Sequence, residues 1–203
     1  MTDRDRLVDA GFAAVLAARI ELGRVVRDPS PRIDDYIRGP SGLGWPTADA
    51  SFKTRVPYTR NGMFQWCGSF VAYCWGAAGL SAEVRRERLA SCYRLTLWNG
   101  PTGSRRIDLD ELRAGDILVV GAPRSPRWGS HICLVERVEG DIVHTIEGNA
   151  TGRLGDGTVG EGVVERTRPL RAMPGATCPI SGLPHGRTFA RHAYRPHIAD
   201  LAE

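Results

Sequence analysis

Lysine is almost absent from this 203-residue chain: Lys53 is the only one among 27 basic residues, so the formal net charge of +4 rests on arginine. The arginines are spread along the sequence. There is no Lys/Arg run interleaved with aromatics, no zinc-finger spacing and no helix-turn-helix pattern, which leaves nucleic acid out of the expected partners. A mild positive balance favours anionic partners in general, including carboxylate-bearing wall polymers, without choosing among them. No apolar run approaches the roughly 18 residues of a membrane-crossing helix. The start, Met1-Thr2-Asp3-Arg4-Asp5-Arg6, leads into an amphipathic segment rather than the apolar stretch of a signal peptide. The expectation is a protein made in the cytoplasm without a signal peptide or membrane insertion. Cysteine is sparse too. Five at irregular spacing, an odd number, exclude a fully paired disulfide framework and fit synthesis in a reducing compartment.

What is present describes one domain. With 42% hydrophobic and 25% charged residues, the chain can bury a full core. Leu7, Val8, Phe12, Val15, Leu16 and Ile20 fall mainly at helical spacing and predict an amphipathic helix ending near Gly23 and packing on the core. From Asp28 to about Asn61, repeated proline and glycine predict a long irregular stretch with a short helix over Ile33 to Ile37. Residues about 66 to 78 read as a buried helix closed by Gly79, and Ser81 as the cap of a second helix over Ala82 to Leu95. Thereafter the chain turns strand-like at Asp116 to Val120, His131 to Val138, Ile142 to Ile146, Val163 to Thr167 and Thr188 to Tyr194. Helices first and antiparallel strands afterwards give an α+β fold.

The chemistry-bearing residues sit at two kinds of element boundary. Cys67 opens the buried helix, where the dipole and free backbone N–H groups favour thiolate over thiol. His131 opens a strand whose hairpin turn, Gly140-Asp141, returns the chain through Thr145-Ile146-Glu147-Gly148-Asn149. Period-two alternation puts Glu147 and Asn149 on one face, so either is placed to accept the second imidazole N–H of His131. The other cysteines have an ordinary reading: Cys74, Cys92 and Cys133 as small core residues. His144 reads as structural or exposed, and Asp116 as a turn-stabilising carboxylate. Cys178, His185, His192 and His197 match no metal-binding spacing, and a Cys67-His131-Cys133 metal site is a weaker reading still.

In order, the blocks WCGSFVAYCWGAAG, LRAGDILVV, GSHICLVERVEGD and TIEGN resemble the CHAP domain, a cysteine- and histidine-dependent amidohydrolase/peptidase of the papain-like superfamily, related to NlpC-type enzymes. The resemblance covers about residues 5 to 170 and leaves the stretch from about 172 to 203 unplaced within a single 1–203 domain. It implies a papain-like fold with N-terminal helices packed on an antiparallel sheet. It also implies Cys67 as nucleophile, His131 as base, and Glu147 with Asn149 as the polar groups supporting that histidine. The backbone N–H of Cys67 would hold the oxyanion, with Gln65, Asn61 or Tyr58 as the second donor, and no metal or organic cofactor is needed. The expected substrate is peptidoglycan or its muropeptides, cut as an N-acetylmuramoyl-L-alanine amidase or a peptide endopeptidase. The protein would then be a phage-type lysin, or a secreted antibacterial effector with an immunity protein as partner, acting in the periplasm or cell wall. The alternative is a cysteine protease or deamidase-type toxin acting on a protein substrate.

Overall fold

A computed structural model of the chain describes residues 2–26, 30–38, 66–89, 92, 95, 98–100, 103–121, 131–170 and 189–202. Helix α1 spans Asp3–Glu21. Thr2 caps it in a reciprocal box: its side chain accepts from Asp5 N at 3.2 Å, while the Asp5 carboxylate accepts from Thr2 N at 2.8 Å. The face that packs inward differs from the one the large apolar residues predict. Ala10, Gly11, Ala14, Val15 and Ala18 are buried, whereas Phe12, Leu16 and Ile20 are 59%, 62% and 67% exposed. Close backbone approach explains the choice. A Cβ placed on Gly115 would lie 2.4 Å from Gly11 Cα, a contact that only a stripe of small residues permits.

Helices α2 (Pro31–Arg38), α3 (Cys67–Ala77) and α4 (Ala82–Arg88) follow. Helix α4 starts at the expected Ser81 cap and runs to Arg88, with Leu89 as its C-cap, and Cys92 and Leu95 beyond it are again helical. Helix α3 is the central element, packed against α1, α2 and the strands at His131–Glu139 and Ile142–Arg153. Phe70, Val71 and Cys74 are fully buried, as its nearly all-apolar sequence requires.

Eight strands are described: β1 (Asn99–Gly100), β2 (Gly103–Ser104), β3 (Arg106–Ile107), β4 (Ile117–Gly121), β5 (His131–Glu139), β6 (Ile142–Arg153), β7 (Val159–Pro169) and β8 (Phe189–Tyr194). β1 and β2 pair with each other, and the other six form an antiparallel sheet in the order β3-β8-β4-β5-β6-β7. The molecule is therefore α+β. Alternation sorts the strand side chains onto two cores. Ile117, Val119, Ile132, Leu134 and Ile146 face the helices, and Leu118, Val120, Cys133, Val135 and Val143 build a second cluster on the other side.

Two features of the sheet bear on the site. The β5–β6 hairpin turns at Gly140-Asp141, with Glu139 opposite Ile142, and Gly140 takes the positive φ of 59° that such a tight turn needs. At its other end β6 bulges between Glu147 and Ala150. The stretch after residue 172 that no recognisable block covers supplies β8, which lies inside the sheet between β3 and β4. Its continuation is tied down by the buried Arg105–Asp200 ion pair at 2.7 Å and by Ala202 N donating to Gly79 O at 2.7 Å.

Candidate active site

Cys67 is the first residue of α3, and its helix start carries no side-chain cap: Trp66 occupies that position. The first intrahelical bond runs from Phe70 N to Trp66 O at 3.0 Å, so the amides of Cys67, Gly68 and Ser69 have no acceptor within the helix. These N–H groups and the positive end of the helix dipole surround the half-buried thiol. Glycine makes the placement possible. A Cβ on Gly68 would fall 2.2 Å from Leu89 O and 3.2 Å from Ile132 Cδ1, so only glycine lets α3 begin between the end of α4 and strand β5.

The thiol meets the start of β5. Its sulfur accepts from the amides of Ile132 and Gly68 and is hydrogen-bonded to the His131 ring. Burial pushes the thiol up, but the His131 charge and hydrogen bond, with those two amides, outweigh it and bring Cys67 below its ordinary value. The imidazole moves the other way. Burial opposes its charge, yet Cys67 and Glu147 together raise His131 to about 9. Each group thus favours the charged form of the other.

Glu147 is the group behind the histidine. His131 Nε2 lies 3.0 Å from Glu147 Oε2, which leaves Nδ1 as the ring nitrogen for Cys67. The carboxylate is fully buried and heavily supported: Thr145 Oγ1 donates to Oε1 at 2.6 Å, and Arg168 donates from Nε to Oε1 and from its terminal nitrogen to Oε2, each at 2.7 Å. Burial would raise its pKa. The Arg168 charge and the His131 ring override that and hold Glu147 well below the usual carboxylate range.

Of the two return-strand candidates, Glu147 is the one that faces His131. Asn149 does something else. The bulge breaks the alternation, Asn149 adopts φ 58°, and its Oδ1 accepts from Trp66 N at 3.1 Å while Nδ2 donates to Glu161 Oε1 at 2.9 Å. It thereby occupies the backbone amide immediately before Cys67. Glu161 Oε1 also accepts from Trp66 Nε1 at 3.2 Å. The Trp66 ring stacks on Tyr36 of α2 at 5.5 Å and 23°, and Tyr36 in turn donates to the buried Glu21 at 2.8 Å. Arg32 sits 5.1 Å from both the Tyr36 and Tyr73 ring centres and pairs with Glu21. Gly148 completes the fit. A Cβ there would lie 2.6 Å from both Phe70 Cβ and Trp66 Cζ3, so the Glu-Gly-Asn sequence is set by how closely α3 rests on β6.

The remaining cysteines differ from Cys67 in environment. Cys74 and Cys133 are fully buried and pushed well above the ordinary thiol range by burial, with Cys133 donating to Leu118 O at 3.4 Å. Cys92 is raised by burial and by the nearby Cys67 charge. His144 is bonded to Glu139 at 3.2 Å, and Asp116 accepts from Arg113 N at 2.8 Å and from Arg195 at 2.7 Å. His197 caps the turn at Ile198–Asp200. Among the described residues no three of His, Cys, Asp and Glu gather as metal ligands. Gln65, Asn61, Tyr58, Cys178 and His185 lie outside the described residues.

Sequence reasoning missed Arg168, Thr145, Glu161 and Trp66. Arg168 stands opposite Val143 in the β6–β7 register and reaches Glu147 diagonally, a relation visible only once the strands are paired. Among the described residues no helix is long and apolar enough to cross a membrane. No protein-family model, no curated protein and no solved structure matches this chain.

Proposed function

We propose that the chain is a cysteine-dependent amide hydrolase on the papain-like plan of CHAP and NlpC-type enzymes, and that its substrate is bacterial peptidoglycan. The observation that carries the reading is the ordered contact of a helix-opening thiol with His131 and of His131 with a buried carboxylate. The Cys67 thiolate attacks the amide carbonyl carbon, and the oxyanion is held by the Cys67 N–H, which has no intrahelical acceptor. The imidazolium gives its proton to the departing amine, leaving a thioester. Neutral His131 then takes a proton from water as the water adds to the thioester, and collapse expels the Cys67 thiolate from the carboxylic acid, leaving His131 protonated as at the start. Glu147 keeps the ring oriented and its charge balanced throughout. Water is the only co-reactant.

Peptidoglycan enters through the resemblance of the ordered blocks around Cys67, His131 and Glu147. Acting on the wall, the protein is a lysin, or an antibacterial effector delivered by a secretion machine and neutralised in its producer by an immunity protein. The test is to incubate purified sacculi of several wall types with wild type and Cys67→Ala and to identify released fragments by mass spectrometry. The expected result is fragments from wild type alone, whose new termini name the bond as glycan–peptide or peptide–peptide. Equal release by both proteins, or none by either, would overturn the reading. Cytosolic toxicity that depends on Cys67 without wall cleavage would move the substrate to a protein.

A further inference from the structure

We infer that Arg168 is a positioning residue of this site, a two-point clamp that fixes the Glu147 carboxylate against His131 Nε2 and through it maintains the Cys67–His131 pair. The inference rests on the hydrolase reading only for its consequence; the contacts are independent of any substrate.

The geometry is that of a fork. Arg168 Nε and its terminal nitrogen donate to the two different oxygens of Glu147, both at 2.7 Å, which fixes the plane of the carboxylate as well as its position. Thr145 Oγ1 holds Oε1 from the side at 2.6 Å, leaving Oε2 to receive His131. Three neighbouring strands thus contribute: His131 from β5, Thr145 from β6 and Arg168 from β7. Two thiols complete the surroundings, Cys133 on β5, which feels the Glu147 and Arg168 charges, and Cys67 across the imidazole.

The buried carboxylate is stable as an anion because the partly buried Arg168 guanidinium faces it. Without Arg168, burial weighs more heavily toward the neutral acid, and Glu147 takes up a proton more readily. A neutral Glu147 no longer balances the imidazolium. His131 then loses its proton at lower pH, and Cys67, deprived of its cation, returns toward an ordinary thiol. Arg168 touches neither thiol nor substrate in this scheme and acts entirely through Glu147.

The experiment measures iodoacetamide alkylation of Cys67 against pH in the full chain for wild type, Arg168→Met, Arg168→Lys, Glu147→Gln and the Glu147→Gln/Arg168→Met double variant. Arg168→Met should lower the rate at pH 7 by about tenfold, equivalent to one pKa unit on the thiol, and move the acid arm of the profile upward. Arg168→Lys keeps the charge but loses the fork. It should keep the acid arm near the wild-type position with a rate reduced by about threefold, since a point charge does not fix the carboxylate plane. The double variant should alkylate no more slowly than Glu147→Gln alone, because the carboxylate charge that the clamp supports is already gone. A wild-type profile in Arg168→Met, or an undiminished further loss in the Glu147→Gln background, would overturn the assignment. Should Arg168→Met fail to fold by circular dichroism, Arg168→Lys and the charge-free double variant decide it on the same readouts: a wild-type rate in the first or a further loss in the second overturns it. Alkylation needs no substrate, so a failure of wall cleavage sinks the hydrolase reading and leaves this result to stand or fall alone.

Discussion

At each end of the β5–β6 hairpin a histidine, a glutamate and an arginine meet at nearly the same distances, the arginine coming from β5 at one end and from β7 at the other. At the turn, His144 Nε2 lies 3.2 Å from Glu139 Oε2, and Arg137 Nε donates to Glu139 Oε1 at 2.8 Å. At the open end, His131 Nε2 lies 3.0 Å from Glu147 Oε2, and Arg168 Nε donates to Glu147 Oε1 at 2.7 Å. The difference is solvent. The Glu139 side chain is 60% exposed and that of Glu147 1%, so water screens the first trio while the second interacts through protein. A thiol waits beyond His131, and a histidine–carboxylate contact becomes part of a reactive site when it is buried against such a group.

Cutting each trio at its carboxylate should separate them most. Glu147→Ala removes the buried carboxylate from its pairing with Arg168 and His131, at an expected cost of about 3–5 kcal/mol in denaturant unfolding. Glu139→Ala should leave the unfolding midpoint unchanged. Comparable losses at the two ends would erase the distinction between them. Removing the ring gives the next largest contrast. His131→Ala should slow iodoacetamide alkylation of Cys67 at pH 7 by roughly thirtyfold or more, since an ordinary thiol is only a few per cent ionised there. His144→Ala should not change the rate.

The glycines at the two ends sharpen the comparison further. Gly148→Ala drives a methyl to 2.6 Å from Phe70 and Trp66, with an expected loss of about 1–3 kcal/mol from overpacking. Gly140→Ala meets nothing within 4 Å and carries only the strain of its positive φ, about 1 kcal/mol. Chemical denaturation of the two variants checks the order. The mildest manipulation is pH. His131 is raised to about 9, so the imidazolium needed to protonate the leaving amine is present below that pH and lost above it. Hydrolysis of a muropeptide should therefore decline on the alkaline side as pH rises through about 9, by roughly tenfold per unit beyond it. The acid-side decline, where the Cys67 thiolate takes up a proton, should begin below the ordinary thiol value. An alkaline limb near the usual histidine value would remove the Cys67 and Glu147 influence on His131.

Much of this site is legible in sequence because boundary residues announce themselves. A cysteine opening an apolar helix, a histidine opening a valine-rich strand and a Gly-Asp turn lead to His131 beside Glu147 or Asn149 without any coordinates, and the strand pairing selects Glu147. What sequence could not supply is what depends on lateral neighbours. Arg168 enters by strand pairing, and Asn149 leaves the histidine's face because a bulge, invisible to period-two alternation, turns its side chain toward Trp66. The inward face of α1 was misjudged for a similar reason. Hydrophobicity picks Phe12, Leu16 and Ile20, while the Ala114-Gly115 turn lies so near Gly11 that α1 turns the face of Ala10, Gly11, Ala14 and Ala18 inward.

The position of β8 has a consequence for how the site comes into being. β4 is bordered by β5 on one side and β8 on the other, so the sheet beneath His131 stays open until residues 189–194 arrive. Translation must therefore pass residue 194 before β4 loses its free edge. Until then the nascent chain presents a bare, fully apolar Ile117–Gly121 strand to its surroundings, and the step that completes the sheet is a long-range one. Prematurely terminated chains are thus expected to reach the aggregate before they reach a working thiol.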